Sequence, residues 1–510
     1  MNKWLRLGSI VQCMVALGAH CTSAAAQDIW IEQVTLVSPE RSSPMTDATV
    51  HVRGDRIVSI SRHSESGAAG RSGTAWQVID GRGLYLAPGL IDTHVHVGEI
   101  SGMTTAQERA HPDLARAARE QIPRSYLYFG FTTLVDLVST PAQAAQWQGY
   151  NAHPDVYFCG AAPVVDGYPM HWAPKPQRYE PFPYMLIQRG DESTAPAGID
   201  AAAHTPEAVV ARMKSDGMFC VKSFFERGFG PERNLPVPRL DTASALVRAA
   251  HTAGMPVFLH ANSSEAQAFA LAAGVDIIAH GMWHWNAEPE TVSQLTLDVQ
   301  KILDGVIETG VGYQPTLQVL YGERDMFEPA YLSDPMLARV LPASLIDWHK
   351  SSEGQWFREI LSQALLPKSI ADSGDAVAQR NAMRAFLSGF IARNDNITRY
   401  LASRNARFLF GSDTPSLPGY SNPPGLNGWL EMRRLVAAGL TPHQVFMAAT
   451  LANARALGLG DEIGSVEPGK RANLILLRTD PTQTVQAYDD IVKIVIRGQV
   501  IDRAELAAKR

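Results

Sequence analysis

The residues that most clearly indicate chemistry are two histidines, His94 and His96, which end an apolar run. In a β-strand, successive side chains alternate between the two faces, so residues two positions apart share a face. Two imidazoles that project together from a strand end can bind one divalent metal ion, and imidazole suits zinc, iron and nickel. The spacing therefore predicts a metal site at the end of this strand.

Four further apolar runs each contain or end in an ionisable side chain. A charged side chain at the end of a buried strand is costly unless it is paired or bound to a metal. Four such residues follow the His-x-His pair in this chain, and together they predict that all six side chains share one site. The four are Lys222, His260, His280 and Asp413.

This order of residues resembles the amidohydrolase superfamily, in which the pair lies on the first barrel strand and the other four lie on strands four, five, six and eight. The segments 88–92, 130–136, 448–458 and 463–474 strengthen the resemblance. The sequence is most similar to the imidazolonepropionase-like and prolidase-like branch, which includes dipeptidases and ochratoxinase-type amidases.

The resemblance implies an α/β fold: a (β/α)8 TIM barrel with a small β-sandwich formed from both chain ends. Alternation of strand-like and helix-patterned segments favours such βα units. The expected organisation is a signal peptide, the first part of the sandwich, the barrel and the second part of the sandwich. The corresponding residues are 1–26, 27–86, 87–458 and 459–510.

Eight barrel strands are expected, and catalytic residues of such barrels lie at the C-terminal ends of the strands. Helical periodicity marks residues 205–214, 242–253, 264–273 and 377–397. The insertion 318–405 is longer than the resemblance implies, and so long a connection inside a compact domain is usually functional or disordered. This departure bears on substrate specificity more than on the metal site. The strands are expected to end near His96, Leu137, Val165, Phe224, His260, His280, Leu317 and Asp413.

The resemblance also implies a ligand set for two divalent ions, with zinc the expected metal. His94, His96 and Asp413 would bind one ion, and His260 and His280 the other. Lys222, carboxylated by CO2 on its amine, would bridge the two ions, because a carbamate offers two anionic oxygens and a free ammonium offers none. The alternative is an unmodified Lys222 paired with a nearby carboxylate.

The chemistry implied by this site is hydrolysis of an amide, peptide or cyclic amide C–N bond. A bound metal lowers the pKa of water from 15.7 to about 7, which supplies hydroxide at neutral pH. Asp413 would take the proton from the water and pass it to the leaving amine. The expected enzyme is a dipeptidase or N-acyl amino acid amidase. The alternatives are an imidazolone-type cyclic amide hydrolase and a catalytically inactive barrel that acts as a binding protein.

Four further residues are candidates for substrate contacts: His284, Arg227, His171 and Tyr321. Their neighbours allow other interpretations. His284, between two tryptophans, is equally well explained as a structural histidine, and Arg227 as a solvated arginine. Asp92, just before the histidine pair, is expected to orient a ligand histidine rather than bind metal.

Composition restricts the function further. With 510 residues, 45% hydrophobic and 19% charged, the chain is an ordinary globular protein. A net charge of −6 gives no basic footprint for nucleic acid, so the expected partner is a small-molecule substrate. Formation of a homo-oligomer is left open.

The first 26 residues have the pattern of a signal peptide, with Lys3 and Arg6 before an apolar stretch and small residues at 24–26. Cleavage near Ala26 would give a secreted or periplasmic protein. The stretch is too short for stable membrane insertion. Cys159 and Cys220 then remain; two buried free thiols are expected, and their pairing is the alternative.

Overall fold

The chain forms two β-sheets with helices around and between them. The computed structural model describes residues 28–65, 76–229, 233–285, 294–416 and 419–509, and the predicted signal peptide lies outside them. The strands are β1 (Asp28–Leu36), β2 (Met45–Arg53), β3 (Arg56–Arg62), β4 (Trp76–Asp80), β5 (Tyr85–Pro88), β6 (Leu90–Val95), β7 (Phe131–Asp136), β8 (Asp155–Ala162), β9 (Cys220–Phe224), β10 (Val257–His260), β11 (Ile277–Ala279), β12 (Gly312–Gln314), β13 (Leu474–Leu477), β14 (Ile491–Ile496) and β15 (Gln499–Asp502).

The helices follow the strands of the central region and fill the long insertion. They are α1 (Thr105–Ala110), α2 (Pro112–Tyr128), α3 (Pro141–Trp147), α4 (Pro206–Ser215), α5 (Leu240–Thr252), α6 (Ser264–Ala273), α7 (Leu297–Thr309), α8 (Leu317–Asp325), α9 (Leu337–Val340), α10 (Ala343–Lys350), α11 (Trp356–Leu365), α12 (Lys368–Ala371), α13 (Ala376–Ser403), α14 (Leu426–Ala437), α15 (Pro442–Met447), α16 (Asn453–Ala456) and α17 (Arg503–Leu506), with a π-helical turn at Ala448–Ala452 between α15 and α16.

The central sheet is parallel, and its seven strands, β6 to β12, pair in chain order. Most of their residues are buried, as expected for parallel strands covered on both faces. This confirms the predicted order of the first seven strands. Two predicted ends were wrong: β8 ends at Ala162 rather than near Val165, and β12 ends at Gln314 because Pro315 lacks an N–H and Leu317 already begins α8.

Residues 407–414 connect the two edges of this sheet through backbone hydrogen bonds. At the β12 edge, the Leu409 amide donates to the Tyr313 carbonyl (3.0 Å). At the β6 edge, the Asp413 amide donates to the His94 carbonyl (2.8 Å), and the His96 amide donates to the Thr414 carbonyl (2.7 Å). The segment that ends at Asp413 therefore lies directly beside the strand that carries the histidine pair.

Both chain ends contribute to the second sheet, as predicted. Its eight strands are mixed, in the order β15-β14-β13-β5-β1-β2-β3, and β4 pairs with β1. The connection between the ends is the antiparallel pair of β13 with β5, in which Leu476 lies opposite Leu86. Hydrogen bonding makes this one continuous sheet, and its division into two packed layers stays a prediction, as do the domain boundaries.

The insertion 318–405 is helical and has its own apolar core. Helix α13 covers the predicted helix 377–397, and the Asp375 side chain caps it by accepting from the Val377 and Ala378 amides (2.9 and 3.1 Å). Leu387 and Phe390 of α13 pack in one cluster with Leu320 of α8. No helix in the described parts of the chain is long and apolar enough to span a membrane.

The expectation of two free thiols was wrong. Cys159 and Cys220 form a disulfide, with their Cα atoms 4.4 Å apart. The physical reason is register: β8 and β9 are neighbours, and Cys159 lies opposite Cys220 in their parallel pairing. The spacing of two cysteines along a sequence does not reveal that register.

Candidate metal centre

Each predicted ligand is positioned by the C-terminal end of a parallel strand or by segment 407–414. His94 lies within β6, and His96 follows it directly. Lys222 is in β9, and His260 ends β10. His280 comes directly after β11, and Asp413 is in the segment that connects the sheet edges. Since parallel strands end at the same edge, these six side chains converge from five elements around it, because His94 and His96 share β6 and its end.

Asp413 is the centre of the group. One of its carboxylate oxygens lies 3.2 Å from His94 Nε2 and 3.1 Å from His96 Nε2, and the other lies 3.6 Å from His280 Nδ1. The ligand atoms of His94, His280 and Asp413 all lie within 4.8 Å of one another. Three buried donor atoms at this spacing form a candidate metal site.

His260 and Lys222 extend the group on the side of β9 and β10. The His260 ring is 4.4 Å from the His280 ring, measured between centroids. Lys222 lies in register with Phe258, so it shares a sheet face with Phe224 and His260. Its Nζ is buried and has no hydrogen-bond partner within the described chain. The alternative of an unmodified lysine paired with a carboxylate therefore has no support in the geometry.

Burial favours the uncharged form of the nitrogen bases in this group, except at His96, where the hydrogen bond to Asp413 and the Asp413 charge outweigh burial and raise the pKa. Burial lowers the pKa of His94 to about 3 and that of His280 well below its usual value. Burial also lowers the pKa of Lys222 to about 7, although the Asp413 charge opposes this. Burial works against ionisation of Asp413 as well, but the neighbouring histidines outweigh it and hold the Asp413 pKa well below its usual range. Neutral imidazoles, a carboxylate and an orphaned amine suit a cation.

The backbone is strained where two of these residues lie. His280 has a φ of +78° and Asp413 a φ of +54°, in the left-handed region that disfavours residues with a Cβ. Thr316, whose hydroxyl lies 3.2 Å from His280 Nδ1, has a φ of +42°. Such conformations cost about 1–3 kcal/mol each and occur preferentially at functional sites.

Two acidic residues, Asp92 and Glu226, form hydrogen bonds that orient candidate ligands. The Asp92 carboxylate accepts hydrogen bonds from the Ser412 hydroxyl and amide and from the His94 amide. Asp92 thus holds the backbone of His94 in place. The sequence had predicted that Asp92 orients a ligand histidine, but not through which of its groups. Burial raises the Asp92 pKa to about 7. His260 Nε2 lies 3.3 Å from a Glu226 carboxylate oxygen. Nδ1 is then the ring nitrogen of His260 that could bind a metal ion.

Of the predicted substrate contacts, His284 and His171 lie near the group. The His171 ring is 5.9 Å from the Tyr168 ring, and Tyr168 in turn is 4.7 Å from His260. His284 follows β11, and its ring is 6.3 Å from that of Phe229. Their role in substrate binding stays a prediction.

The structure does not bring Arg227 and Tyr321 to the candidate ligands. Arg227 is half-exposed and pairs with Glu265 of α6 at 2.8 Å, which matches the solvated alternative. Tyr321 donates to Asp395 of α13 (2.9 Å), and the Arg434 guanidinium lies 3.9 Å from its ring centroid. Both side chains hold structural elements together.

Sequence reasoning missed Glu226 and Tyr168. The signal for Glu226 was available, because positions 222, 224 and 226 share a face if the extended backbone continues beyond β9. Arg227, which was predicted instead, lies on the opposite face of that extended backbone. Tyr168 gave no such signal, since it lies in the long connection after β8, where no periodicity applies.

Comparison with known proteins shows relatives for both the sequence and the fold. Residues 340–501, which include Asp413, match the model of the amidohydrolase family. A stretch of 62 residues is 41% identical to the S-triazine hydrolase of Gordonia rubripertincta, covering 12% of this chain and 13% of that enzyme. The chain thus spans only a small part of this curated relative.

The solved structures that resemble the chain cover almost all of it. A Xaa-Pro dipeptidase with bound methionine in its active site matches with a TM-score of 0.63 and 19% identity, over 93% of this chain and 100% of that one. The ochratoxinase of A. niger matches with a TM-score of 0.63 and 16% identity, over 94% and 96%.

The family match over residues 340–501 supports the predicted membership of the amidohydrolase superfamily. The sequence match lies in the C-terminal third, and the structural matches extend the likeness in fold to the strands that carry the other candidate ligands. The predicted branch within the superfamily stays a prediction.

Proposed function

We propose that this protein is a metal-dependent hydrolase that cleaves amide or related C–N bonds of small molecules, with dipeptides and N-acyl amino acids as the leading substrates. The observation that carries the proposal is the convergence of six ligating side chains at one edge of a parallel sheet. The similarity to a triazine hydrolase and to a Xaa-Pro dipeptidase supports this reaction class.

The fold we propose for the central region is a closed (β/α)8 barrel with residues 407–414 as its eighth strand. The backbone hydrogen bonds of this segment to β12 and β6 support closure. In such barrels the C-terminal ends of the strands carry the active site, which is where the six side chains lie.

The ligand set we propose holds two divalent ions, with zinc as the expected metal. His94, His96 and Asp413 would hold one ion, and His260 and His280 the other. When bound, such an ion lowers the pKa of a coordinated water to about 7 and polarises a substrate carbonyl. The neutral imidazoles and the ionised Asp413 are in the protonation states that metal binding requires.

Lys222 would bridge the two ions as a carbamate. Its neutral amine would attack the carbon of CO2: an N–C bond forms, one C=O π bond of CO2 breaks as its electron pair moves onto the oxygen, and the nitrogen gives one proton to water, which leaves a carbamate anion. The orphaned, buried Nζ supports this modification, because a buried ammonium without a partner would be costly. The pKa of about 7 means that a large share of the amine is neutral near pH 7.

Asp413 is the residue we assign to proton transfer. Its carboxylate would accept a proton from the attacking water and deliver it to the nitrogen of the leaving amine, acting first as general base and then as general acid. Its position between His94, His96 and His280 suits this role, since each of these rings lies within 3.6 Å of a carboxylate oxygen.

We also propose that the protein acts outside the cytoplasm, because of the signal-peptide pattern of residues 1–26. The disulfide between Cys159 and Cys220 supports this location, since disulfides persist mainly in oxidising compartments.

The test combines metal analysis with a substrate panel. The purified chain from Gln27 onwards would be analysed for zinc and other divalent metals, then assayed on dipeptides and N-acyl amino acids with and without a chelator. We expect about two ions per chain, loss of activity on chelation and recovery on zinc addition. Fewer than one ion per chain, with no activity restored by metal, would reject the proposal.

A further inference from the structure

A continuous series of rings lines one side of the candidate metal centre. Tyr168 contacts Trp172 at 5.2 Å and Phe229 at 5.6 Å, between ring centroids. The His284 ring lies 6.3 Å from Phe229 and 5.2 Å from Phe390. We call these five residues the aromatic wall.

The aromatic wall is built by four separate segments of the chain. Tyr168 and Trp172 lie in the connection after β8, Phe229 follows β9, His284 follows β11, and Phe390 belongs to α13. All three strands end at the edge that holds the candidate ligands. The wall is therefore part of the same face of the molecule, and the insertion completes it.

The wall touches the candidate metal centre through Tyr168. The Tyr168 ring lies 4.7 Å from the His260 ring, which is itself 4.4 Å from His280. A ligand held along the wall would therefore lie within reach of the groups that we assign to catalysis.

The exposure of these rings distinguishes the wall from ordinary core. Trp172 is 53% exposed, while Tyr168, Phe229 and His284 are only partly buried. Among the described residues, neither Tyr168 nor Phe229 belongs to a hydrophobic cluster of the core. Only Phe390, at the far end, is anchored in the apolar core of the insertion. Rings that stay partly exposed beside a candidate catalytic site favour contact with an apolar ligand.

The end of the wall nearest the candidate metal centre is made of uncharged rings, Tyr168 and Phe229. Burial lowers the pKa of His284 to about 4, so its ring is an uncharged imidazole. The Arg393 guanidinium lies at the far end, 5.9 Å from the Phe390 ring centroid. The carboxylate next to the wall, Glu226, is already engaged by His260 and by the Gly228 amide (2.8 Å). Beside the candidate metal centre, the wall thus offers uncharged ring faces that suit an aromatic ring.

We propose that the aromatic wall is a substrate subsite, which binds an aromatic ring that the substrate carries next to its scissile C–N bond. This inference rests on the proposed hydrolase function and names its substrate class. Stacked and edge-to-face contacts with Tyr168 and Phe229 would orient that ring and thereby place the scissile carbonyl near His260 and His280.

The first experiment measures kcat/KM for matched substrates. N-acetyl-phenylalanine carries the ring in the amine half, and N-phenylacetyl-alanine carries it in the acyl half. N-acetyl-alanine and N-acetyl-lysine are the comparisons without a ring. We expect at least one aromatic substrate to exceed N-acetyl-alanine about tenfold. Equal values for all four, or a preference for N-acetyl-lysine, would overturn the proposal.

The second experiment removes parts of the wall. Phe229→Ala and Trp172→Ala should reduce the ratio of aromatic to aliphatic kcat/KM about tenfold, while Phe229→Tyr should retain it. The matched control is Phe219→Ala, because Phe219 is also partly buried but lies before β9, where its ring is tilted against that of Tyr157, with the centroids 4.6 Å apart. A ratio that falls equally in the control, or that does not fall in either wall variant, would contradict the proposal.

A binding measurement separates this inference from the proposed function. Calorimetric titration of the chelator-treated protein with L-phenylalanine and phenylacetate, against L-alanine and acetate, requires no catalysis. Aromatic ligands should bind the wild type and bind Phe229→Ala at least about tenfold more weakly. If aromatic ligands bind in this way but none of the substrates is hydrolysed, the proposed hydrolase function is rejected and the subsite is supported. Hydrolysis without preferential aromatic binding would reject the subsite and support the hydrolase.

Discussion

At the scale of single residues, burial decides what this site can do. Lys222 and His94 are almost completely buried, and burial opposes the charged form of each nitrogen base. Asp413 is buried as well, but three imidazoles within 3.6 Å make its ionised form the favourable one. The group therefore combines the negative charge of Asp413 with the uncharged imidazoles of His94 and His280, which is an arrangement that a cation completes.

Asp413→Asn should separate the two roles assigned to this residue. The amide oxygen can still approach a metal, so metal content should fall only in part. A neutral amide is no base, so kcat should fall by about 10²–10⁴-fold, with a smaller change in KM. Steady-state kinetics together with metal analysis of the same sample would check this. A kcat within a few-fold of the wild type would mean that Asp413 is not the proton shuttle.

Metal loading should depend on pH through Lys222. Below pH 7 most of this side chain is an ammonium that neither reacts with CO2 nor binds a cation, so metal content in bicarbonate buffer should rise between about pH 6 and pH 8. His94 and His280 are already neutral in this range and cannot cause the rise.

The control for this pH series is Lys222→Ala. Burial opposes the charged form of His96, but hydrogen bonding with Asp413 outweighs it and raises the His96 pKa, so His96 could add to the pH dependence. In Lys222→Ala, only the contribution of His96 to the pH dependence would remain. This variant should therefore hold less metal, and its metal content should rise less between about pH 6 and pH 8. An equal rise in both proteins would remove Lys222 from the ligand set.

At the scale of elements, the predictable part of the molecule was local. Several strands could be located because an apolar run contains or ends in an ionisable residue, as at His96, Lys222, His260 and His280. Helix α6 could be located because Ser263 caps it and Gly274, with a φ of +77°, ends it. The end of β12 was placed three residues too late, because the apolar Leu317 that follows Pro315 belongs to α8 and not to the strand. The Cys159–Cys220 disulfide and the Glu226–His260 pair depend on which strands are neighbours, and this is tertiary information.

One such long-range contact holds the first turn of α8. The buried Glu431 of α14 accepts hydrogen bonds from the Leu317 and Gln318 amides (3.0 and 2.6 Å). Thr316, at the start of the same helix, contacts His280. The carboxylate therefore positions the helix start that lies against a candidate ligand, from more than a hundred residues away along the chain.

Glu431→Ala should destabilise the protein by about 2–4 kcal/mol, because it leaves two buried amides without acceptors. Glu431→Gln keeps one acceptor oxygen and should lose less. Chemical denaturation of both variants would measure the effect. Glu359→Ala, on the exposed face of α11, is the control and should leave the unfolding free energy within about 0.5 kcal/mol of the wild type. A loss below about 1 kcal/mol in Glu431→Ala would show that the contact does not support α8.

At the scale of the whole molecule, the early and late parts of the chain depend on each other. β5 pairs with β13 in the mixed sheet, and β6 is bonded to segment 407–414 beside the candidate metal centre. His94 and Asp413, which lie 3.2 Å apart, therefore meet only after nearly the whole chain has been made. The disulfide acts differently, since it ties two neighbouring strands in the first half of the chain and includes β9, the strand of Lys222.

The disulfide gives the last prediction, which concerns both stability and compartment. In the chain from Gln27 onwards, Cys159 and Cys220 are the only cysteines. Thiol titration of the protein unfolded without reductant should therefore find no free thiol, and titration after reduction should find two. The double variant Cys159→Ser/Cys220→Ser should unfold about 2–4 kcal/mol more easily, because the cross-link restricts the unfolded chain. The wild type under reducing conditions should lose a similar amount, whereas the variant should not respond to reductant. Two free thiols in protein isolated from an oxidising compartment would contradict the bond and remove its support for export.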